Sequence, residues 1–288
     1  MPDNPIIKEF IKLNLINKKN FEFLCYTSRT KKVKVYRDKK TNVYFLAKYL
    51  TDKNYYLKDR DFTTKELKKY QLVLRKDEKR RIDQFKFFYK GKKIIDYGCE
   101  YGGFLKLINK VKKKYGVELN LNCRRYIKKN LSNVEVFQKL DQIKEKVDLI
   151  TSFHVLEHLP HQVESLKKIK EKLKYGGKII LEVPSANDFL LSLNEVTSFK
   201  KFIFWHEHLV LHTIKSLKKI LSVAGFKKIK IIEFQRYNLN NHLGWIIKGK
   251  PGGHIFFKKM FNKLSNKKYK DLLVKNHKTD TLIAIASK

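Results

Sequence analysis

Cysteine is scarce in this 288-residue chain, with three residues, and its placement excludes more than its number. Cys25, Cys99 and Cys123 lie far apart and form no C-x-x-C pair, so neither a disulfide framework nor a cysteine zinc site can be built from them. Long apolar runs are missing too. None approaches the ~18 residues of a membrane span, and Met-Pro-Asp-Asn-Pro at the start has no basic segment leading an apolar one, so no secretory signal is expected. A cytoplasmic location is the expectation that follows.

Acidic residues are scarce as well: 28 Asp and Glu against 65 Lys and Arg leave a formal charge of +37. Clustered cations would neutralise phosphates and point to nucleic acid. Here the lysines are dispersed along the whole chain and accompany Asn, Ile, Phe and Tyr, with little Gly, Pro or Ala. That is the bias AT-rich codons give. A solvated surface is therefore preferred to a nucleic-acid footprint, while attraction to anionic small molecules stays open under both readings.

What the chain does have is a glycine-punctuated segment, I-I-D-Y-G-C-E-Y-G-G-F-L, from Ile94 to Leu105. An apolar run ends in Asp96, a turn follows, and a second short apolar run ends in Glu118, 22 positions beyond Asp96. Gly98 and Gly102 permit a sharp turn and close approach to a ligand, and Glu118 stands where such folds place a carboxylate for ribose hydroxyls. Glu100 occupies the place of the middle glycine in G-x-G-x-x-G. A carboxylate there opposes a pyrophosphate and favours a ligand with a positive centre.

These residues resemble the first motif of the class I methyltransferases that use S-adenosylmethionine (SAM), D-x-G-C-G-x-G, which Asp96, Gly98, Cys99 and Gly102 match. Segments 147–159, 173–184 and 206–226 follow in the order of that family's later motifs. The likeness is nearest to enzymes acting on sugars and surface polysaccharides and to quinone O-methyltransferases. It implies SAM as cofactor, held by Asp96, Gly98, Cys99, Gly102 and Glu118, with Asp141 near the adenine. It also implies an α/β, Rossmann-like sheet, mostly parallel with its last strand reversed.

The chain pattern agrees with that outline. Runs at 93–97, 116–119, 134–137, 147–153, 178–183 and 226–234 read as buried parallel strands, and 281–286 as the reversed one. Gly176-Gly177 reads as the end of the helix carrying Val163, Leu166 and Ile169. Residues 1–90 read as an accessory cap: a helix over 5–17, a hairpin around Asp38–Thr41, and a helix from Thr64, with Glu66 placed for a capping box, to Tyr89. Residues 91–288 form the catalytic domain, with an insertion at about 237–278.

Chemistry is expected beyond the strand ends. His154 follows the fourth core strand. His154-x-x-Glu157-His158 has the form of a zinc peptidase motif, but that motif needs a helix and here straddles a strand end, with Pro160 just beyond. Some quinone and small-RNA O-methyltransferases are similar here with E-x-x-E-H and hold a divalent ion; His154 replaces the first acid. No metal is assigned, and bracing of the loop by Glu157 and His158 is the alternative.

Trp205-His206-Glu207-His208 resembles the aromatic-x-E-H of sugar C-methyltransferases, which implies Glu207 and His208 as an acid/base pair, with Trp205 where a tyrosine usually stands. Those relatives often begin with a cysteine-rich zinc module that this chain lacks. The expectation is a methyltransferase acting on a sugar, nucleotide-sugar or glycan at oxygen, with His154, Glu207 and His208 as catalytic candidates. Alternatives are an RNA or quinone-type O-methyltransferase, and a SAM-binding partner protein without catalysis.

Overall fold

The computed structural model describes residues 3–27, 32–51, 55–57, 64–257 and 260–288, with the backbone alone at 64–75 and 254. In chain order the first elements are α1 (Pro5–Lys12), β1 (Phe21–Tyr26), β2 (Lys34–Asp38), β3 (Tyr44–Leu46) and α2 (Thr64–Tyr89). Next come β4 (Lys93–Tyr97), α3 (Gly103–Leu107), β5 (Lys113–Val117), α4 (Leu121–Asn130), β6 (Glu135–Phe137) and β7 (Val147–Phe153). These lead to α5 (Gln162–Glu171), β8 (Leu173–Pro184), α6 (Thr197–Ile203), β9 (Val210–Leu211), α7 (Ile214–Val223) and β10 (Lys227–Phe234). The chain closes with α8 (Leu239–Lys248), α9 (Gly253–Phe256), α10 (Lys263–Lys275) and β11 (Thr281–Ser287).

Seven strands form the main sheet in the order β10-β11-β8-β7-β4-β5-β6. Strands β8, β7, β4, β5 and β6 pair in parallel, and β11 runs antiparallel to both β8 and β10. The reversed strand therefore lies inside the sheet, between β10 and β8. Because successive strand residues face opposite ways, Ile95, Ile150, Ile179 and Leu181 enter one core, which also takes Leu166, Leu217 and Ile220 of α5 and α7. Ile94, Leu149, Ile180 and Ile283 enter the other, with Phe85 of α2, Phe104 and Leu105 of α3, and Ile127 of α4.

A second, four-stranded sheet has the order β1-β2-β3-β9. Its inward residues Val35, Phe45 and Leu46, with Ile6 and Phe10 of α1, belong to the same core as α5 and α7. The hairpin around Asp38–Thr41 forms as expected: Asp38 Oδ1 accepts from the backbone of Lys40 and Thr41 at 3.0 and 2.9 Å. β1 was not anticipated. The first helix stops at Lys12, because Asn14 takes a left-handed conformation at φ 55°. Thr63 and the side chain of Glu66 lie outside the described residues, and with them the anticipated capping box.

Two further expectations need correction. Gly176 and Gly177 do not end a helix: α5 is closed by Lys172, whose N–H donates to Ile169 and Lys170, and the glycines sit within β8. The register against β7 shifts there, with Leu173 opposite Val147 but Lys178 opposite Leu149, and Gly176 at φ 71° supplies the left-handed residue of that irregularity. β5 begins at Lys113, three residues before the expected start, because Lys114 is itself buried. Among the described residues no helix is long and apolar enough to cross a membrane.

Candidate active site

The carboxyl ends of β4, β5 and β7 open on one cavity of about 1600 Å³. Its first wall is the turn after β4. Gly98, Glu100 and Gly102 all have positive φ (77°, 50° and 72°), so a non-glycine residue holds the strained middle position. What holds it is Glu118 at the end of β5: Oε2 accepts from the Glu100 N–H at 2.9 Å and Oε1 from the Asn120 N–H at 2.8 Å. Gly98 packs against the loop after β7 so tightly that a Cβ would lie 2.4 Å from Val155 Cγ2.

Asp96 is buried, accepts from Thr151 Oγ1 at 2.7 Å, and is pushed up to about 7 by burial. Cys99 lines the cavity, but its thiol packs on Gly116 and burial raises it well above the usual thiol range, which disfavours the thiolate. Asp141 lines the same cavity from the turn Leu140–Gln142 that follows β6. All of the sequence-predicted cofactor residues except Gly102 are therefore at the cavity wall; Gly102 shapes the turn beneath, facing Leu131 and Ile127.

The second wall comes from the loop after β7 and the segment before β9. His154 has φ 56° and its N–H donates to the Glu182 carbonyl at 2.8 Å. Its Nε2 lies 2.8 Å from Arg236 Nη1. A guanidinium only donates, so Nε2 accepts and the ring proton sits on Nδ1. Burial first, then Arg236 and Arg81, hold His154 well below the usual histidine range, and it stays neutral. Arg236 also binds Asp77 of α2. Beneath them Glu182, fully buried on β8, pairs with Arg80 and Arg81 at 2.6 Å each. Burial would raise that carboxyl, but the two guanidinium groups outweigh it and hold it low.

Glu207 and His208 reach the cavity beside His154, as does His158. Tyr55, in a short turn of the N-terminal region, donates to Glu207 Oε1 at 2.7 Å, and its hydroxyl lies 2.8 Å from His206 Nε2. His158 Nδ1 is 3.0 Å from the Glu207 carbonyl and His208 Nδ1 is 2.8 Å from the Ile203 carbonyl. A carbonyl only accepts, so both rings carry a proton on Nδ1.

Glu157 lies behind these rings, in the single turn Leu156–His158. It is fully buried, neither carboxylate oxygen has a hydrogen-bond partner, and burial pushes it up to about 8. His154 Nδ1 approaches Oε1 at 3.3 Å. Glu157, His158 and His208 each offer a ligand atom within 4.8 Å of the others. Two imidazoles fixed through Nδ1 and a buried carboxyl group, once ionised, fit a divalent cation of the transition series. The H-x-x-E-H segment alone gives no such group, because the third ligand comes from His208.

Sequence reasoning missed Tyr55, Asp77, Arg81 and Arg236. One signal was available: Glu182 stands in the otherwise apolar, buried stretch 179–183, and such a charge requires a cationic partner.

A family model described as a methyltransferase domain matches residues 68–231, more than half of the chain. A search of curated proteins found no match. Among solved structures, a SAM-dependent methyltransferase from Archaeoglobus fulgidus has a TM-score of 0.52 at 20% identity, covering 76% of this chain and 99% of the other. A SAM-dependent methyltransferase from Thermotoga maritima, described as a possible histamine N-methyltransferase, has a TM-score of 0.52 at 16% identity, covering 78% and 95%. Phosphoethanolamine N-methyltransferase 2 from Haemonchus contortus, in complex with SAM, has a TM-score of 0.53 at 17% identity, covering 84% and 61%. At these identities the likeness is one of fold.

Proposed function

The chain belongs to the methyltransferase-domain family; we propose that its methyl donor is SAM and that the acceptor is a hydroxyl of a sugar, nucleotide-sugar or related glycan. The observation that carries this reading is the meeting of two walls in one cavity, the Gly98–Glu118 turn on one side and Glu207 with His154 and His208 on the other. SAM, when bound, supplies an electrophilic methyl on a cationic sulfur. Glu118 would take the ribose hydroxyls, Asp96, Gly98, Cys99 and Gly102 would form the turn under the methionine portion, and Asp141 would stand near the adenine. An acid-lined wall suits that cation.

On the facing wall a base must remove the hydroxyl proton as oxygen attacks in line. Glu207 serves as that base in this reading. His208 lines the wall beside it, and His154, its Nε2 occupied by Arg236, acts as a fixed neutral imidazole. Oxygen is preferred to carbon because the cysteine-rich module of the C-methylating relatives has no counterpart among Cys25, Cys99 and Cys123.

A second reading adds a divalent cation, favoured by the grouping of the Glu157 carboxyl with His158 and His208. Bound there, it would polarise an acceptor oxygen as a Lewis acid. Both readings are tested by SAM turnover against nucleotide-sugars, RNA and quinols, with and without chelator. Methylation of RNA or a quinol alone would replace the sugar reading, and tight SAM binding with no turnover would point to a non-catalytic partner protein.

A further inference from the structure

We propose that Tyr55 is a proton relay between the acceptor hydroxyl and Glu207, an inference that rests on the methyl-transfer reading above. The aromatic-x-E-H segment carries Trp205 where its relatives have tyrosine, and an indole N–H can donate but cannot accept a proton at neutral pH. A phenol nevertheless stands at Glu207. It comes from a turn 152 positions earlier in the chain, Tyr55–Leu57.

The geometry suits a relay. Tyr55 lines the cavity that the acceptor enters in this reading. Its O–H donates to Glu207 Oε1 at 2.7 Å, a hydrogen bond to a buried carboxylate with the length of a charge-assisted contact. His206 Nε2, at 2.8 Å, fixes the phenol from the other side, and the two rings meet edge to face at 5.3 Å. Trp205 stacks its edge against His206 and His208, so it walls the cluster without replacing the phenol.

The proposed step balances. As the acceptor oxygen bonds to the methyl carbon and the carbon–sulfur bond breaks, the electron pair of that bond stays on sulfur. The hydroxyl proton moves to Tyr55 Oη while the Tyr55 proton moves to Glu207 Oε1. The phenol ends as it began, the thioether is neutral, and Glu207 holds one proton that solvent later removes. Because two protons move together, no free phenolate forms. The N-terminal region thus supplies a working group to the site as well as a wall.

The test compares wild type with Tyr55→Phe, Glu207→Gln and the double variant. The acceptor is whichever member of a panel of UDP- and GDP-sugars, RNA and quinols the wild type methylates. Tyr55→Phe keeps the ring and deletes only the O–H. The relay predicts that kcat falls by about 10²–10⁴-fold, KM for the acceptor changes less than about threefold, and S-adenosylhomocysteine affinity is unchanged. It also predicts that the double variant is no worse than Glu207→Gln, since both remove one unit. In mixed H₂O/D₂O, kcat of the wild type should curve with two protons in flight and that of Tyr55→Phe should not. Turnover by Tyr55→Phe within about threefold of wild type, or losses that multiply in the double variant, overturns the relay alone. Absence of wild-type turnover with the whole panel overturns the acceptor reading and the relay with it.

Discussion

Arg236 Nη1 donates to His154 Nε2 at 2.8 Å, so the lone pair a general base would use is already taken by a cation. The sequence places His154 at the end of the fourth core strand, facing the transferred methyl. The structure places it just past the end of β7 at the cavity wall, neutral and with its proton on Nδ1. Removing a base and removing a positioned neutral ring have different costs.

Glu207→Gln should therefore lower turnover by about 10²–10⁴-fold, the range of a positioned general base. His154→Ala should lower it by less than about tenfold, a loss of positioning alone. Steady-state kinetics at saturating acceptor checks both. A larger loss at His154 than at Glu207 would return the base to the histidine.

Glu182 gives a stability prediction whose sign follows from its partners. Replacing it with Ala leaves the buried Arg81 without its anion and should cost about 3–5 kcal/mol, the range for breaking a buried pair. Its carboxyl is held below the ordinary value of 4.5 in the folded chain. The stabilisation is thus fully present above pH 4.5 and is lost as pH falls through the lower, folded value. Thermal unfolding between pH 3 and 7 should show an acid-side loss in the wild type that Glu182→Gln reduces. Equal acid sensitivity in both would contradict the assignment.

Much of this was legible in the chain. β4 and β7 were read to the residue, because each is a short, largely β-branched run with its acid or histidine just at or past the end. Asp96 and Glu118 could be placed for the same reason: both stand where an apolar run stops. β5 was misread because Lys113 and Lys114 look exposed, whereas Lys114 lies inside. The Gly176-Gly177 pair carried a turn signal that fits a helix end and a strand irregularity equally. The facing wall was only half legible. His154, Glu207 and His208 stood out as a cluster of polar residues, but Arg236 meets His154 across 82 positions and Asp77 across 159. Periodicity carries no information over such separations.

The cation reading makes its own prediction. Glu157, His158 and His208 are distinct from the residues assigned to SAM, so EDTA should leave S-adenosylhomocysteine affinity within about twofold by calorimetry, well under the tenfold that 1.4 kcal/mol represents. If a cation serves the acceptor, EDTA should abolish turnover, and Zn²⁺, Mn²⁺ or Co²⁺ should restore it where Mg²⁺ does not. Turnover indifferent to EDTA would retire that reading. Loss of cofactor affinity would place the metal, or the cofactor, elsewhere.

Direct calorimetry of SAM on the wild type and on Glu118→Ala tests the central claim. Glu118 holds the turn through Glu100 and Asn120 and is assigned the ribose hydroxyls, so its loss should weaken binding by about 1.5–3 kcal/mol, the scale of hydrogen bonds to a charged group. Circular dichroism would confirm that the variant is folded. Stoichiometric binding by the wild type, weakened by that amount in the variant, is the predicted result. Failure of the folded wild type to bind SAM, or equal affinity in both proteins, would contradict the account.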